Sequence, residues 1–230
     1  MRRTIIIGDI HGCRDELEEL LDAAGYVKGD RVISVGDMLV RGPDPAGTVE
    51  LLRSIRALAV RGNHEDRVLR VLEGIALHPA VSDMTKAAAY ALSEEQRAWL
   101  RSLPLWLDVP EHAVRVVHAG VIPGVPIERH APEVLMTIRS LGRNGRPAPR
   151  RSGRPWGKSY TGPPHVVFGH NAQPEPQIHH WATGIDTGCV YGGRLTALVL
   201  RGTEPVPPRS SRPEALVSVK ARRAYVPIKE

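Results

Sequence analysis

Five times in this chain of 230 residues a short apolar run ends beside a glycine and a side chain able to bind a metal. Thr4 to Ile7 runs into Gly8-Asp9-Ile10-His11-Gly12, Val32 to Val35 into Gly36-Asp37, and Leu58 to Val60 into Arg61-Gly62-Asn63-His64. Val114 to Val117 then runs into His118-Ala119-Gly120, and Val166 to Phe168 into Gly169-His170. Runs this short, rich in β-branched residues and apolar on both faces, predict buried strands of a parallel or mixed sheet. Glycine lets the chain turn sharply where such a strand ends. Open α/β sheets place their ligands at the carboxyl ends of strands, so Asp9, His11, Asp37, Asn63, His118 and His170 are expected to converge on one crevice. One Asp or His after a strand reads as a turn residue or helix cap. Five strand ends of the same chemistry point instead to a shared site. Its mixed carboxylate, amide and imidazole donors suit Mn²⁺, Fe or Zn better than a carboxylate-only set would.

The length fits one large domain with a substantial core; we place it at residues 1–202, followed by a tail, 203–230, partly extended and docked. Cys13 and Cys189 lack the CxxC spacing and are expected to be free, buried thiols in a reducing cytoplasm. No signal peptide or membrane-spanning stretch is expected. The net charge of +6 invites a polyanionic partner. Much of that excess sits in Arg139, Arg143, Arg146, Arg150, Arg151, Arg154 and Lys158, which read equally well as a solvated loop or as a substrate-facing one.

Arg14 to Ala24 reads as an amphipathic helix closed by Gly25, Pro45 to Arg56 as a second helix, and Glu65 to Glu73 as a third. Successive βα units imply parallel strands with right-handed crossovers. Gly74 to Leu103 is mostly helical by pattern, with a capping box at Ser93 to Gln96. Leu105 to Val109 and Val114 to Val117 read as neighbouring strands. A helix is expected from Pro132 to about Leu141, carrying Arg139. The Pro- and Gly-rich residues 142–164 read as a long ordered loop in which Trp156 and Tyr160 would touch something flat or apolar. Beyond Gly202 the chain is expected to be extended until Ala224 to Ile228 docks on the body.

In order, and across residues 5 to about 200, the five blocks resemble the signature blocks of the calcineurin-like metallophosphoesterases of the phosphoprotein-phosphatase type. That resemblance implies an α/β fold, a central β-sandwich of mixed sheets flanked by helices. Gly36 to Pro43 and Ile185 to Thr196 are most similar to bacterial symmetrical diadenosine tetraphosphatases. The implied reaction is hydrolysis of diadenosine tetraphosphate to two ADP, with in-line attack by hydroxide shared between two divalent ions. Manganese is favoured, with Fe, Zn, Co and Mg as alternatives. By the resemblance Asp9, His11 and Asp37 hold one ion, and Asp37, Asn63, His118 and His170 hold the other, with Asp37 bridging. His64 would protonate the leaving oxygen. Arg41 and Arg139 would clamp phosphate oxygens, with Trp156 and Tyr191 as further substrate contacts. Phosphoproteins and capped RNA 5′ ends carry related bonds, and a protein phosphatase of the same fold is the alternative reading. A basic nucleic-acid-binding module with a vestigial metal site is the third.

One position departs from the protein-phosphatase pattern. There a second Asp, three residues after the Asp of the Gly-Asp pair, orients and charges the catalytic histidine; here Val40 occupies it. Without that carboxylate His64 is a poorer acid. A serine alkoxide needs the proton more than a nucleotide leaving group does, so Val40 favours a phosphoanhydride substrate. Asp44, Glu65 and Asp66 are the residues nearby that would substitute for the missing carboxylate.

Overall fold

The computed structural model describes residues 2–75 and 81–227. Two sheets lie face to face. The first has the order Asp186–Thr187, Arg194–Arg201, Arg3–Ile7, Arg31–Ser34, Leu58–Ala59, with Leu216–Lys220 also pairing to Arg194–Arg201. Arg3–Ile7, Arg31–Ser34 and Leu58–Ala59 run parallel, as the βα units predict, and Arg194–Arg201 runs antiparallel to Arg3–Ile7. In the second sheet Val114–Val117, His165–Phe168 and Ala182–Gly184 are parallel, with Trp106–Val109 and Gln177–Ile178 antiparallel at its edges.

Alternation along the strands builds three apolar layers. Ile6, Ile33, Val116, Val167 and Leu198 point between the sheets and form the central core. Ile5, Ile7 and Val32 point outward and pack against Leu17, Leu20, Leu52 and Val68 of the helices Arg14–Ala23, Pro45–Ser54 and Asn63–Leu72. On the far side Val117, Val166 and Phe168 meet Leu135 and Trp156. The result is the expected sandwich of mixed sheets between helices.

Several local expectations change. The helix at Pro132 ends at Thr137, because Ile138 turns extended to feed the strand Ser140–Leu141, so Arg139 lies beyond it. Residues 142–164 are more than a loop. Pro147–Ala148 and Arg154–Pro155 both pair with Ser140–Leu141 in a small third sheet, held by the Ser140 hydroxyl donating to the Arg150 carbonyl at 2.6 Å. The stretch after Gly202 is also more regular than its prolines suggest. Leu216–Lys220 joins the first sheet in a five-residue register with Arg194–Leu198, and Ala224 then bridges to Tyr191. Part of the helical span 74–103 lies outside the described residues, as does Ile228; within that span the helices are Asp83–Ala91 and Glu94–Arg101, the latter with the predicted capping box.

Candidate active site

The predicted residues come together at the carboxyl ends of the parallel strands of both sheets. The backbone there is unusual. Of the seven non-glycine residues with positive φ among the described residues, five are His11, Asp37, Val40, Arg41 and His170, and strain of this kind gathers where a site over-determines its geometry. Gly8 is needed for close approach, since a Cβ there would lie 2.4 Å from the Ile185 carbonyl oxygen.

Asp37 is the centre. Its Oδ2 lies 3.3 Å from His118 Nε2 and 3.9 Å from His11 Nε2, and its Oδ1 accepts from the His64 amide at 2.9 Å. His118 Nε2 is also 3.0 Å from Asn63 Oδ1. Two imidazoles are aimed by the backbone: His118 Nδ1 faces the Val35 carbonyl at 2.8 Å, and His11 Nδ1 faces that of Leu39 at 3.1 Å. Each therefore turns Nε2 into the crevice, the arrangement that outer hydrogen bonds impose on metal-binding histidines. Donor atoms of His11, Asp37 and His64 lie within 4.8 Å of one another, as do those of Asp37, His118 and His170. Two neighbouring cation-sized groups thus share Asp37. Asp9 sits behind them and accepts the His170 amide on both oxygens, at 3.1 and 3.0 Å.

Burial, and then Asp186, push the Asp9 carboxyl well above its ordinary range. Burial opposes charge on His118, yet Asp37 pushes it up to about 10. Burial brings His11 down to about 4 and pushes His64 and His170 well below the usual histidine range. Crowded buried carboxylates beside imidazoles form a donor set that fits divalent cations.

Two buried carboxylates complete the site, and the ligand pattern alone does not single them out. Glu65 is 0 % exposed and accepts the amides of Asp37 (2.7 Å), Met38 (2.9 Å), Leu39 (3.3 Å) and Gly62 (2.9 Å), so it collars the loop that carries Asp37. Asp186 accepts from the Gly188 amide at 3.1 Å and is pushed up to about 6 by burial. Glu65 directly follows the block Arg61 to His64 and Asp186 stands inside Ile185 to Thr196, which is the signal that could have found them.

Arg41 Nη1 approaches His11 Nε2 at 3.1 Å, and its guanidinium lies 5.5 Å from the centre of the half-buried Tyr191 ring. Arg139 reaches the same cluster from the other side, donating to the His170 carbonyl at 3.3 Å. Trp156 requires correction as a substrate contact. It is 1 % exposed, its indole N–H donates to the Ala119 carbonyl at 3.0 Å, and its ring packs on Phe168, so it is a core residue. His64 Nδ1 is buried without a hydrogen-bond partner. Two of the three expected substitutes for the carboxylate missing at Val40 are otherwise engaged: Asp44 caps the helix Pro45–Ser54 through the Gly47 amide at 2.8 Å, and Glu65 is taken by the amides above.

The calcineurin-like phosphoesterase family model matches residues 2–202. The chain belongs to this family. It is 33 % identical to the asymmetrical bis(5′-nucleosyl)-tetraphosphatase PrpE of Halalkalibacterium halodurans, over 94 % of this chain and 97 % of that one. With the protein of the same name from Oceanobacillus iheyensis it shares 32 % identity over 84 % and 86 % of the two chains. A crystal structure described provisionally as a diadenosine tetraphosphatase superposes with a TM-score of 0.82 at 33 % identity, covering 96 % of this phosphoesterase and 94 % of that chain. A serine/threonine phosphatase from Saccharomyces cerevisiae, at 14 % identity and a TM-score of 0.63 over 96 % and 79 % of the chains, shares the fold. As a metallophosphoesterase the protein is a phosphohydrolase that uses divalent metal ions. Among the described residues no helix is long and apolar enough to cross a membrane.

Proposed function

We propose that this phosphoesterase hydrolyses dinucleoside tetraphosphates, with Asp9, His11, Asp37, Asn63, His118 and His170 holding a pair of divalent ions, manganese by preference. The observation that carries the reading is that Asp37 belongs to two donor groups at once, with donor atoms of His11 in one and of His118 and His170 in the other within 4.8 Å. Such a pair, when bound, supplies Lewis acidity and an activated water for in-line displacement at phosphorus. The protein's own residues supply the rest. Glu65 fixes the Asp37 loop through the backbone, Arg41 presents a planar fork to the non-reacting oxygens, and His64 stands beside the cluster to pass a proton to the leaving oxygen.

The unpartnered His64 Nδ1 favours an anhydride over an alkyl ester. With no carboxylate hydrogen-bonded to that atom, and with burial outweighing the pull of Asp37, His64 is seldom protonated and so is a sparse source of protons. That is sufficient for a nucleotide leaving group and poor for a serine alkoxide. For the position of the cut, Gly36 to Pro43 and Ile185 to Thr196 suggested two ADP. The relatives' names support the other cut, to AMP and ATP, and we adopt it.

Product analysis tests both statements: incubation of the manganese-loaded protein with diadenosine tetraphosphate is expected to give AMP and ATP in equal amounts. ADP alone would restore the symmetrical cut, and no turnover at all would remove the substrate class. In the same assay Asp37→Asn and His118→Ala are expected to reduce hydrolysis to background and to lower metal content measured by elemental analysis. Full activity in either variant would overturn the ligand assignment.

A further inference from the structure

Beside the catalytic cluster lies a cavity of about 450 Å³ whose wall includes Arg139, Arg151, Lys158, Asn171, Gln177 and His179. Its size is that of a small-ligand site. It adjoins the cluster directly, because Asn171 follows His170 and Arg139 both lines the cavity and donates to the His170 carbonyl.

Two features of the wall call for a ligand. First, its hydrogen-bonded guanidiniums are held by neutral acceptors: Arg139 by the His170 carbonyl, and Arg151 by Asn171 Oδ1 at 2.7 Å and by the Ala172 carbonyl. Two guanidiniums on one wall crowd like charge, and an anion set between them would relieve it. Second, Arg139 Nε and His179 Nε2 are buried polar atoms with no hydrogen-bond partner among the described residues, and both residues line this one cavity. Buried polar atoms are rarely left unpaired, and one that is needs an explanation. Apolar surface from Pro155 and Pro174 faces the same space.

We propose that this cavity seats one nucleotide end of the substrate, with its phosphates along Arg139, Arg151 and Lys158 and its nucleoside against Gln177, His179 and the two prolines. The proposal deepens the dinucleoside tetraphosphate reading and names the residues by which one half of such a molecule is gripped. It also separates members of the basic stretch. Arg151 and Lys158 line the cavity, whereas Arg150 and Arg154 do not.

The test does not require the natural substrate. Hydrolysis of p-nitrophenyl phosphate by the metal-loaded protein is followed while ATP, or inorganic tripolyphosphate, is added as inhibitor. ATP is expected to inhibit more tightly than tripolyphosphate, and its inhibition constant is expected to rise about 10-fold or more in Arg151→Ala and in Lys158→Ala. Arg151→Lys should recover part of the loss, and thermal melts establish that each variant is folded. An unchanged inhibition constant in both alanine variants would overturn the proposal. So would tripolyphosphate binding as tightly as ATP, because the cavity would then hold phosphate without a nucleoside. If the parent fails to cleave diadenosine tetraphosphate yet shows the expected ATP pattern, the substrate reading falls and the nucleotide seat stands.

Discussion

At residue 40 two demands meet. Val40 is 2 % exposed in the helix-side core and holds φ at +71°, a region that β-branched residues rarely enter. Aspartate tolerates that backbone better than valine does, so Val40→Asp trades lost apolar packing against relieved strain. If His64 Nδ1 is short of a carboxylate, the variant should raise the ratio of alkyl phosphoester to diadenosine tetraphosphate turnover on the order of 10-fold or more. Asp44→Asn, which keeps a capping side chain, should leave that ratio unchanged. A ratio unmoved by Val40→Asp would show that residue 40 only packs. The six proposed ligands were legible because each follows a predicted strand directly. Glu65 was not legible as the collar of the Asp37 loop, since a carboxylate that binds amides from a loop 28 positions away leaves no periodic trace, and Asp186 follows no run of the ligand pattern.

Elements were read best where alternation or a cap marked them, as in Arg3–Ile7, Val114–Val117 and the helix opened by Ser93. The helix Asn63–Leu72 starts two residues before the expected Glu65, because Gly62 has no capping side chain to mark its start; the cap comes instead from Glu65, which accepts the Gly62 amide. The small sheet after Ser140 escaped because its strands are two residues long, too short for a period. Leu216–Lys220 escaped because proline-rich sequence precedes it, although its alternation of Val217 and Val219 with polar neighbours was visible. Trp156 belongs to that small-sheet region and anchors it. A Cβ at Gly120 would lie 2.2 Å from the indole, so the ring is fitted against bare backbone. Trp156→Ala should cost about 3–5 kcal/mol in urea unfolding, with KM for diadenosine tetraphosphate little changed. A selective rise in KM without loss of stability would return the ring to the substrate.

Over the whole molecule, the net charge of +6 bears on anionic partners more than on the fold. Acid stability has a specific weak point away from the proposed metal cluster. Burial, with Arg212 nearby, lowers His165 to about 3, and its Nε2 lies 2.8 Å from the Thr183 hydroxyl. The unfolded chain binds that proton near pH 6.5 and the folded one does not. This contribution to stability is therefore complete above pH 6.5 and is lost progressively as pH falls toward about 3. Between pH 7 and pH 5 the parent should lose about 2 kcal/mol more than His165→Gln, read from urea midpoints; parallel losses would remove His165 as the cause. The pairing of Arg3–Ile7 with Arg194–Arg201 matters in another way, during synthesis. Arg3–Ile7 must wait for Arg194–Arg201 before its second edge is filled, and Asp9 meets the His170 amide across 161 positions. Contacts so distant in sequence form slowly. A ribosome-bound chain that ends before residue 170 holds its first three parallel strands without a working centre, so catalytic competence on the ribosome would report the completion of folding.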